Sequence, residues 1–408
     1  MYVRKSSVTL EGKAARSERK HPLLLWIGVI LTGLLLLLLL PLLAPSPAPK
    51  GLPREVNVNN LKSPQYGGQF FALDGQFYYL QDGFYNMGVY RSTGSAARRI
   101  FQSSDFSTRD GEQYGRLGDI FPVGDLLYFE LYADGGRSNF YLFDPAENSF
   151  RYLFHSERVS NWFVREPYLV YQKESDREKE TLAFQYDELW VYDLSSGRQS
   201  RIADNVEQIG LVDGTLFYVS FEGECRREPD ESRENGYRLV YDGEYSLSSY
   251  DFQQQRSTEL GRFPLIFEPE EYYSQYEFFS FTDHSVAMYT FHTPYACKLV
   301  LYTPGQELLV ITTPLPIHKL VAAGDVAYAL LYDEQRPDPQ QGLYRFDLKN
   351  GSFEKLGQGL PCGNRVELYV ASEDAVFLVT GHPWLIGTWR NVLQIDPQSG
   401  AILRRYQI

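Results

Sequence analysis

The stretch "ELWVYDLSSGRQSRI" (residues 188–202) decides the fold, because two apolar runs flank a short polar segment that contains turn-forming residues. Asp193 opens that segment, and an aspartate side chain can accept hydrogen bonds from the backbone amides that follow it. Gly197 supplies a positive φ without steric penalty. The stretch therefore predicts an antiparallel β-hairpin.

Similar hairpins recur along the chain. Four close copies begin at residues 139, 245, 342 and 391, and two looser copies are "MGVYRSTGSAARRI" and "CKLVLYTPGQELLVI". The residues that open the seven turns follow one another at intervals of 44 to 58 positions, and they are Arg91, Asp144, Asp193, Asp251, Thr303, Asp347 and Asp396. A period near 50 residues is typical of solenoids, propellers and arrays.

A second hairpin precedes each copy, as in "FALDGQFYYL" and "GLVDGTLFYV", where a turn-forming pair separates two apolar runs. Two hairpins give four antiparallel strands per unit, and seven units cover residues 65–408 with no room for a separate catalytic domain. The 31 tyrosines, 26 phenylalanines and 33 glycines also favour strands and turns. We predict an all-β fold, a seven-bladed β-propeller with four-stranded antiparallel blades.

The repeat resembles bacterial membrane-anchored surface propellers with degenerate Tyr-Tyr…Leu-Tyr-x-x-Asp repeats, loosely akin to YWTD and quinoprotein propellers. The resemblance covers residues 65–408 and implies the fold more than a function. This chain lacks the Gly-His and Trp-Asp pairs of WD40 blades, and only four tryptophans lie outside the apolar N-terminal segment. The regular tryptophan docking of quinoproteins is therefore missing, which argues against a pyrroloquinoline-quinone cofactor.

The N-terminal region predicts a membrane anchor. The stretch from Leu23 to Leu43 contains no charged residue, and a helix of that length spans roughly 30 Å, the thickness of a bilayer core. A secretory signal peptide is the alternative, although its apolar region is usually shorter. The predicted organisation begins with a cytoplasmic tail (1–22) and a transmembrane helix (23–43). A Pro-rich stalk with its lead-in (44–64) and the propeller (65–408) follow.

The distribution of charge predicts the orientation of the chain in the membrane and excludes some classes of partner. Residues 1–22 contain six basic and two acidic residues, so the positive-inside tendency keeps the N-terminus in the cytoplasm and the propeller outside. The whole chain has a formal net charge of −13, and the part beyond the basic tail is more acidic still. We therefore expect a single-pass cell-membrane protein whose propeller does not bind nucleic acid or an anionic membrane surface.

The long insertions fall at one end of the predicted blades, between the second and third strands or between consecutive blades. Variable loops on a rigid scaffold commonly bind ligands, so we predict that this end is functional. The candidate residues combine aromatic and charged groups suited to stacking on sugars or gripping an extended peptide; they are Glu270, Glu271, Tyr272, Tyr273, Tyr276, His382, Trp384, Trp389 and Arg390. The alternative is that several of these rings fill gaps between blades. The charged run at 224–234 predicts a solvated loop tip.

Motifs for catalysis, cofactors or metals are missing from the sequence. It contains no Gly-x-Ser-x-Gly elbow, His-Glu-x-x-His helix, phosphate-binding loop or EF-hand loop. The histidines are scattered one per region, so we predict no metal site and no catalytic residue. Three cysteines (Cys225, Cys297 and Cys362) are too few for a disulfide framework, and a single bridge between the last two is left open.

Three hypotheses about function follow. The first is a non-enzymatic binding or interaction module that holds an envelope glycan, a peptide or a protein partner, with no cofactor. The alternative is a glycoside hydrolase or lyase that uses residues near the propeller channel, although no carboxylate pair stands out in the sequence. The third is an accessory subunit in assembly or sensing, bound to an integral-membrane partner.

Overall fold

The computed structural model describes Ile30 and, with gaps, the chain from Phe70 to Gln407. The described ranges are 70–73, 76–81, 88–92, 97–101, 116–123, 125–133, 136–144, 146–147, 149–175, 187–212, 214–231, 236–264, 278–290, 296–333, 338–363, 366–372, 375–384 and 387–407. The chain divides into two compact units, Met1–Pro45 and Ser46–Ile408.

The predicted tail, anchor and stalk lie outside the described residues, apart from Ile30, which is helical. Within the described part of the chain, no helix has both the length and the apolar character that crossing a membrane requires. The transmembrane helix therefore stays a prediction.

The second unit is built from strands. Its described residues form 27 strands, and every strand pairing is antiparallel. The first two sheets contain β1 (Phe70–Leu73), β2 (Gln76–Gln81), β3 (Gly88–Ser92) and β4 (Ala97–Phe101), then β5 (Arg116–Val123), β6 (Leu126–Ala133), β7 (Arg137–Asp144) and β8 (Ser149–Glu157). In both sheets, strands that follow one another in sequence are neighbours in space.

The third sheet is larger and has seven strands. They are β9 (Val159–Arg165), β10 (Tyr168–Glu174), β11 (Asp187–Asp193), β12 (Gln199–Val212), β13 (Thr215–Pro229), β14 (Tyr237–Asp251) and β15 (Arg256–Pro264). β12 pairs with β11 through its first part and with β13 from Val206 onward. One long strand thus serves as the fourth strand of one set of four and the first strand of the next.

Three further four-stranded sheets complete the described fold. Their strands are β16 (Phe278–Phe281), β17 (Val286–Tyr289), β18 (Lys298–Tyr302) and β19 (Leu309–Thr312); β20 (Ile317–Ala323), β21 (Val326–Leu331), β22 (Gly342–Asp347) and β23 (Phe353–Leu356); and β24 (Val366–Ser372), β25 (Ala375–Trp384), β26 (Gly387–Ile395) and β27 (Ile402–Gln407). The prediction of an all-β fold made of four-stranded antiparallel units is confirmed at this level.

The core lies between the sheets, because central strands such as β21 are buried along their whole length. The first strands of successive sheets lie against one another: β1 with β5, β5 with β9, β12 with β16, β16 with β20, and β20 with β24. One apolar cluster also includes Val89 of the first sheet and Tyr369 and Phe377 of the last. Burial of apolar surface stabilises a fold by roughly 25 cal/mol per Å². Because the buried surface lies between the sheets, it stabilises the packing of the sheets on one another rather than any single sheet.

The predicted role of the turn-opening aspartates is confirmed. Asp193 Oδ1 accepts hydrogen bonds from the amides of Ser195 and Ser196 at 2.8 and 3.2 Å, and Gly197 has a φ of 71°. Equivalent hydrogen bonds from backbone amides are accepted by Asp144, Asp251, Asp347 and Asp396. These carboxylates serve local turn geometry, as the sequence indicated.

Candidate functional site

The predicted ligand-binding residues divide into two groups. Glu270, Glu271, Tyr272, Tyr273 and Tyr276 lie outside the described residues. The backbone of the other four lies in the hairpin of β25 and β26, where the sequence predicted a loop.

The β25–β26 hairpin brings those four residues together in the backbone. His382 pairs directly with Trp389, Arg390 pairs with Gly381, and Trp384 pairs with Gly387. The pairs extend past Thr380 and Asn391, where the neighbouring strands β24 and β27 end their pairing. The insertion is therefore a continuation of the sheet.

The segment predicted as a charged loop tip is also part of a hairpin. β13 and β14 pair with each other in unbroken register from Leu216↔Tyr250 to Pro229↔Tyr237. β12 ends its pairing with β13 at Ser220, and β15 ends its pairing with β14 at Glu244. We call residues 222–229 and 237–244 the arm; at about 3.3 Å per residue each strand of the arm is roughly 25 Å long.

Two glycines face each other where the arm leaves the sheet. Gly223 pairs with Gly243, and a Cβ at Gly243 would collide with the Glu222 carbonyl oxygen and approach the Phe221 ring at 2.9 Å. Phe221 is buried in the core. Only glycine therefore fits this close approach of the two backbones.

An arginine ties three strands together at the same level. Arg262 of β15 contacts Glu222 of β13 at 2.6 Å, Glu244 of β14 at 3.0 Å and Glu259 of β15 at 2.8 Å. Hydrogen bonds to Glu259 and Glu244 raise the pKa of Arg262, so it is charged at every pH of interest. The arm is fixed to the sheet by the close approach of Gly223 and Gly243 and by this exposed ion-pair group.

A second cluster of polar groups lies at the same end of the sheet, where β12 passes from β11 to β13. Three pairings shift register here, at Gln172/Lys173, at Asp187/Leu189 and at Val206/Gln208. Asn205, within the second of these shifts, has a left-handed φ of 56°. β-bulges and left-handed residues of this kind concentrate at functional sites.

Hydrogen bonds connect the strands of this junction. The buried Gln172 side chain donates from Nε2 to the carbonyl oxygens of Val206 and Glu207, at 2.8 and 3.1 Å. Ser160 donates from Oγ to Asp187 Oδ2 at 2.5 Å. β9, β10, β11 and β12 are thus joined through side chains rather than only through the backbone ladder.

Two carboxyl groups at the junction differ in environment. Glu207 is half-buried, and burial together with the Asp187 charge raises the pKa of its carboxyl group from 4.5 to about 8. Asp187 accepts the Ser160 hydrogen bond. The arrangement can hold a proton on Glu207 at neutral pH.

Charged and aromatic residues also meet at the start of β20. Lys319 forms an ion pair with Glu367 of the next sheet, and burial lowers the pKa of Lys319 despite this partner. The rings of His318 and Tyr332 stack with centroids 3.4 Å apart. Because the ion pair links β20 to β24, its first role is to hold neighbouring sheets together.

The described side chains include two of the three cysteines. Cys297 and Cys362 are free thiols, so the bridge that the sequence left open between them is not formed. Burial raises the pKa of both thiols. No group of three His, Cys, Asp or Glu side chains within the described ranges has a metal-binding geometry.

The sequence did not single out Asp187 and Glu207, which are 20 positions apart. Neither lies in a motif, and the signal that could have marked Glu207 is weak: "IADNVEQIG" (202–210) interrupts an apolar run with four polar residues. Their proximity comes from the pairing of Asp187 with Val206.

Comparison with known proteins returned structures but no relatives by sequence. No protein-family model and no curated protein matches the chain. Similar solved structures include apo AztD from Citrobacter koseri (9% identity, 83% of this chain and 84% of that chain, TM-score 0.44). The β-propeller domain of the trilobed protease from Pyrococcus furiosus is similar at 12% identity, over 72% of this chain and 99% of its own, with a TM-score of 0.34. A puromycin hydrolase mutant shows 13% identity over 84% of this chain and 52% of its own, with a TM-score of 0.47. Membership in the family that the repeats resemble stays a prediction.

Proposed function

We propose that this chain is a membrane-anchored, extracytoplasmic seven-bladed propeller that acts as a non-enzymatic binding module. Its arm and the hairpin of β25 and β26 form the end that contacts an envelope partner. Of the glycan, peptide and protein partners that the sequence allowed, a polypeptide suits the arm best. No cofactor is needed for this role.

The sheets support seven blades. Five of them have four strands, and the seven-stranded sheet becomes two sets of four when β12 is counted in both. The apolar cluster that includes Val89, Tyr369 and Phe377 fits a ring in which the last blade packs on the first. Such a ring leaves only short sheet edges at its outer and inner rims.

The single observation that carries the binding role is the open arm. Beyond Ser220 and Glu244, the only described residues that pair with β13 and β14 are those of β13 and β14 themselves. Among the described residues, each outer edge of the arm therefore presents backbone amide and carbonyl groups that pair with no further strand. Such edges bind an extended polypeptide by strand addition.

Site-specific photocrosslinking in intact cells tests the role. A photoreactive residue at Glu228 or Val240 of the arm should give a crosslinked polypeptide that mass spectrometry identifies, whereas the same residue at Glu147 or Asn350, in turns at the opposite end of their sheets, should not. Equal yields at both ends, or no product from the arm, would refute the proposal. A second variant replaces residues 224–242 of the arm with Asn-Gly and carries the photoreactive residue in the β25–β26 hairpin instead. If the two hairpins share one partner, this variant should no longer crosslink a polypeptide.

A glycoside hydrolase or lyase is a second candidate, favoured by the Glu207–Asp187 pair. A carboxyl group that keeps its proton near pH 7 beside an ionised one is the arrangement that general acid catalysis of glycoside cleavage uses. The purified protein would then release reducing ends from envelope glycans, and Glu207→Gln and Asp187→Asn would each abolish the release. If the wild-type protein and both variants release equal amounts, the candidate is wrong.

A further inference from the structure

The two strands of the arm differ in how well their outer edges are protected against pairing. The β13 strand carries three consecutive charged residues, Arg226 to Glu228, followed by Pro229, which has no amide to donate. Charged residues and proline are features by which natural proteins keep an exposed edge strand from pairing. The β14 strand contains "RLVYD" (238–242), in which Val240 and Tyr241 favour strands and no proline occurs. The edge of β14 is therefore the one suited to pair with a further strand.

A hydrogen bond near the tip of the arm shows which backbone groups of β14 face outward. The Asp230 amide donates to the Gly236 carbonyl oxygen at 2.9 Å. Hydrogen-bonded and non-hydrogen-bonded pairs alternate along an antiparallel ladder, so the pair Glu228↔Arg238 and every second pair after it bond β14 to β13. The intervening residues of β14 therefore direct their amide and carbonyl groups toward the outer edge; they are Tyr237, Leu239, Tyr241 and Gly243.

This outer edge is complementary to itself when a second copy is turned about a two-fold axis at Val240. In that register Leu239 lies opposite Tyr241 of the second copy, and their outward amide and carbonyl groups can bond reciprocally. Arg238 lies opposite Asp242 of the second copy, and the same pair occurs again on the other side of the axis. A shift by two residues in either direction would place Val240 opposite one of these charged residues. The residue types therefore favour the register that is centred on Val240.

We propose that the arm pairs with the arm of a second copy of this chain, β14 against β14, so that the two arms form one four-stranded antiparallel sheet. This inference rests on the proposed function, in which the arm binds a polypeptide by strand addition, and it identifies that polypeptide. Asp242 and Gly243, at the base of the edge, are exposed in the single chain, as a site for a second copy requires. A two-fold contact closes after two copies, and the protected β13 strands then lie at the two outer edges of the joined sheet.

Photocrosslinking between tagged copies tests which partner the arm binds. Full chains that carry one of two affinity tags and a photoreactive residue at Val240 are expressed together in the same cells. Irradiation should give a product that has both tags and twice the mass of the chain, whereas a photoreactive residue at Glu147, in the β7–β8 turn, should not. A product of one tagged chain and another polypeptide would leave the proposed function standing and show that the second copy is wrong. If Val240 gave no intermolecular product, both proposals would be wrong.

Exchange of charges tests the register. Arg238→Asp places like charges opposite each other on both sides of the axis, and Asp242→Arg does the same with the opposite sign. Each variant alone should therefore give about tenfold less product with both tags than wild type. When one tagged chain carries Arg238→Asp and the other carries Asp242→Arg, opposite charges face each other again, and the product should return to the wild-type amount.

The recovery in this mixture also shows that both variants fold, since misfolded arms would not pair. Glu147→Arg, a charge change away from the arm, is the matched control and should give as much product as wild type. Equal amounts of product from wild type and both single variants would overturn the proposal, and so would a mixture that yields no more product than each variant alone.

Discussion

The two ends of the β9–β15 sheet are held by different interactions. At the end with the tight turns, Arg165 donates from Nε to the Gly214 carbonyl oxygen at 2.6 Å and lies over the Phe252 ring at 5.1 Å. These contacts join the turns of both halves of the sheet. At the other end, the arm extends beyond its neighbours and the junction carries carboxyl groups. The side-chain contacts that join the two halves through their turns thus lie at one end, and the arm lies at the other.

The largest effect is expected where the arm meets the core. Gly243→Val places a side chain against the Glu222 carbonyl oxygen and the Phe221 ring, so the variant should lose about 1–3 kcal/mol of unfolding free energy. Thermal unfolding followed by circular dichroism measures this loss. Thr215→Val, an exposed and nearly isosteric change in β13, is the control; equal midpoints for the two variants would show that the arm leaves the sheet without close packing.

A smaller loss is expected at the opposite end. Arg165→Met removes the hydrogen bond to Gly214 and the contact with Phe252 but keeps the length of the side chain, so we expect a loss of about 1–2 kcal/mol. Chemical denaturation measures it, with Arg198→Met at the exposed β11–β12 turn as the control. If Arg165→Met were as stable as the control, the turns of the two halves would not be energetically joined.

The smallest effect is expected in a single turn. Hydrogen bonds from Ser399 and Gln398 lower the pKa of Asp396, so its contribution to stability is present above its ordinary value of 3.8 and is lost as pH falls. Asp396→Ala should lower the unfolding midpoint slightly at pH 7, and Asp396→Asn, which keeps an acceptor oxygen but not the charge, should lower it less. Thermal scans from pH 3 to 7 test this, and a wild-type-like Asp396→Ala would contradict it.

The tight-turn end was predictable from sequence because its determinants are local. An aspartate at the start of a turn and a glycine such as Gly197 four residues later act within one hairpin, so the pattern survives in the sequence. The same period of near 50 residues correctly predicted four-stranded units. None of these inferences required knowledge of distant contacts.

The other end was not predictable for two physical reasons. The charged sequence of the first arm strand, from Glu222 to Pro229, lacks the apolar alternation that marks a strand. The junction was hidden because Asp204 and Asn205 are residue types that favour turns, yet β12 continues through them with the support of Gln172. Burial first and then the Asp187 charge raise the pKa of Glu207, and both arise only in the folded chain.

The continuity of β12 has a mechanical consequence. Because one strand crosses from β11 to β13 without a loop, proteases have no exposed connection to cut between those two sets of strands. A pulling force applied between the N-terminus and the C-terminus also cannot peel one set away while leaving the other intact, since both share the same backbone. Under tension these two sets should rupture in a single step, longer than the step of any four-stranded sheet.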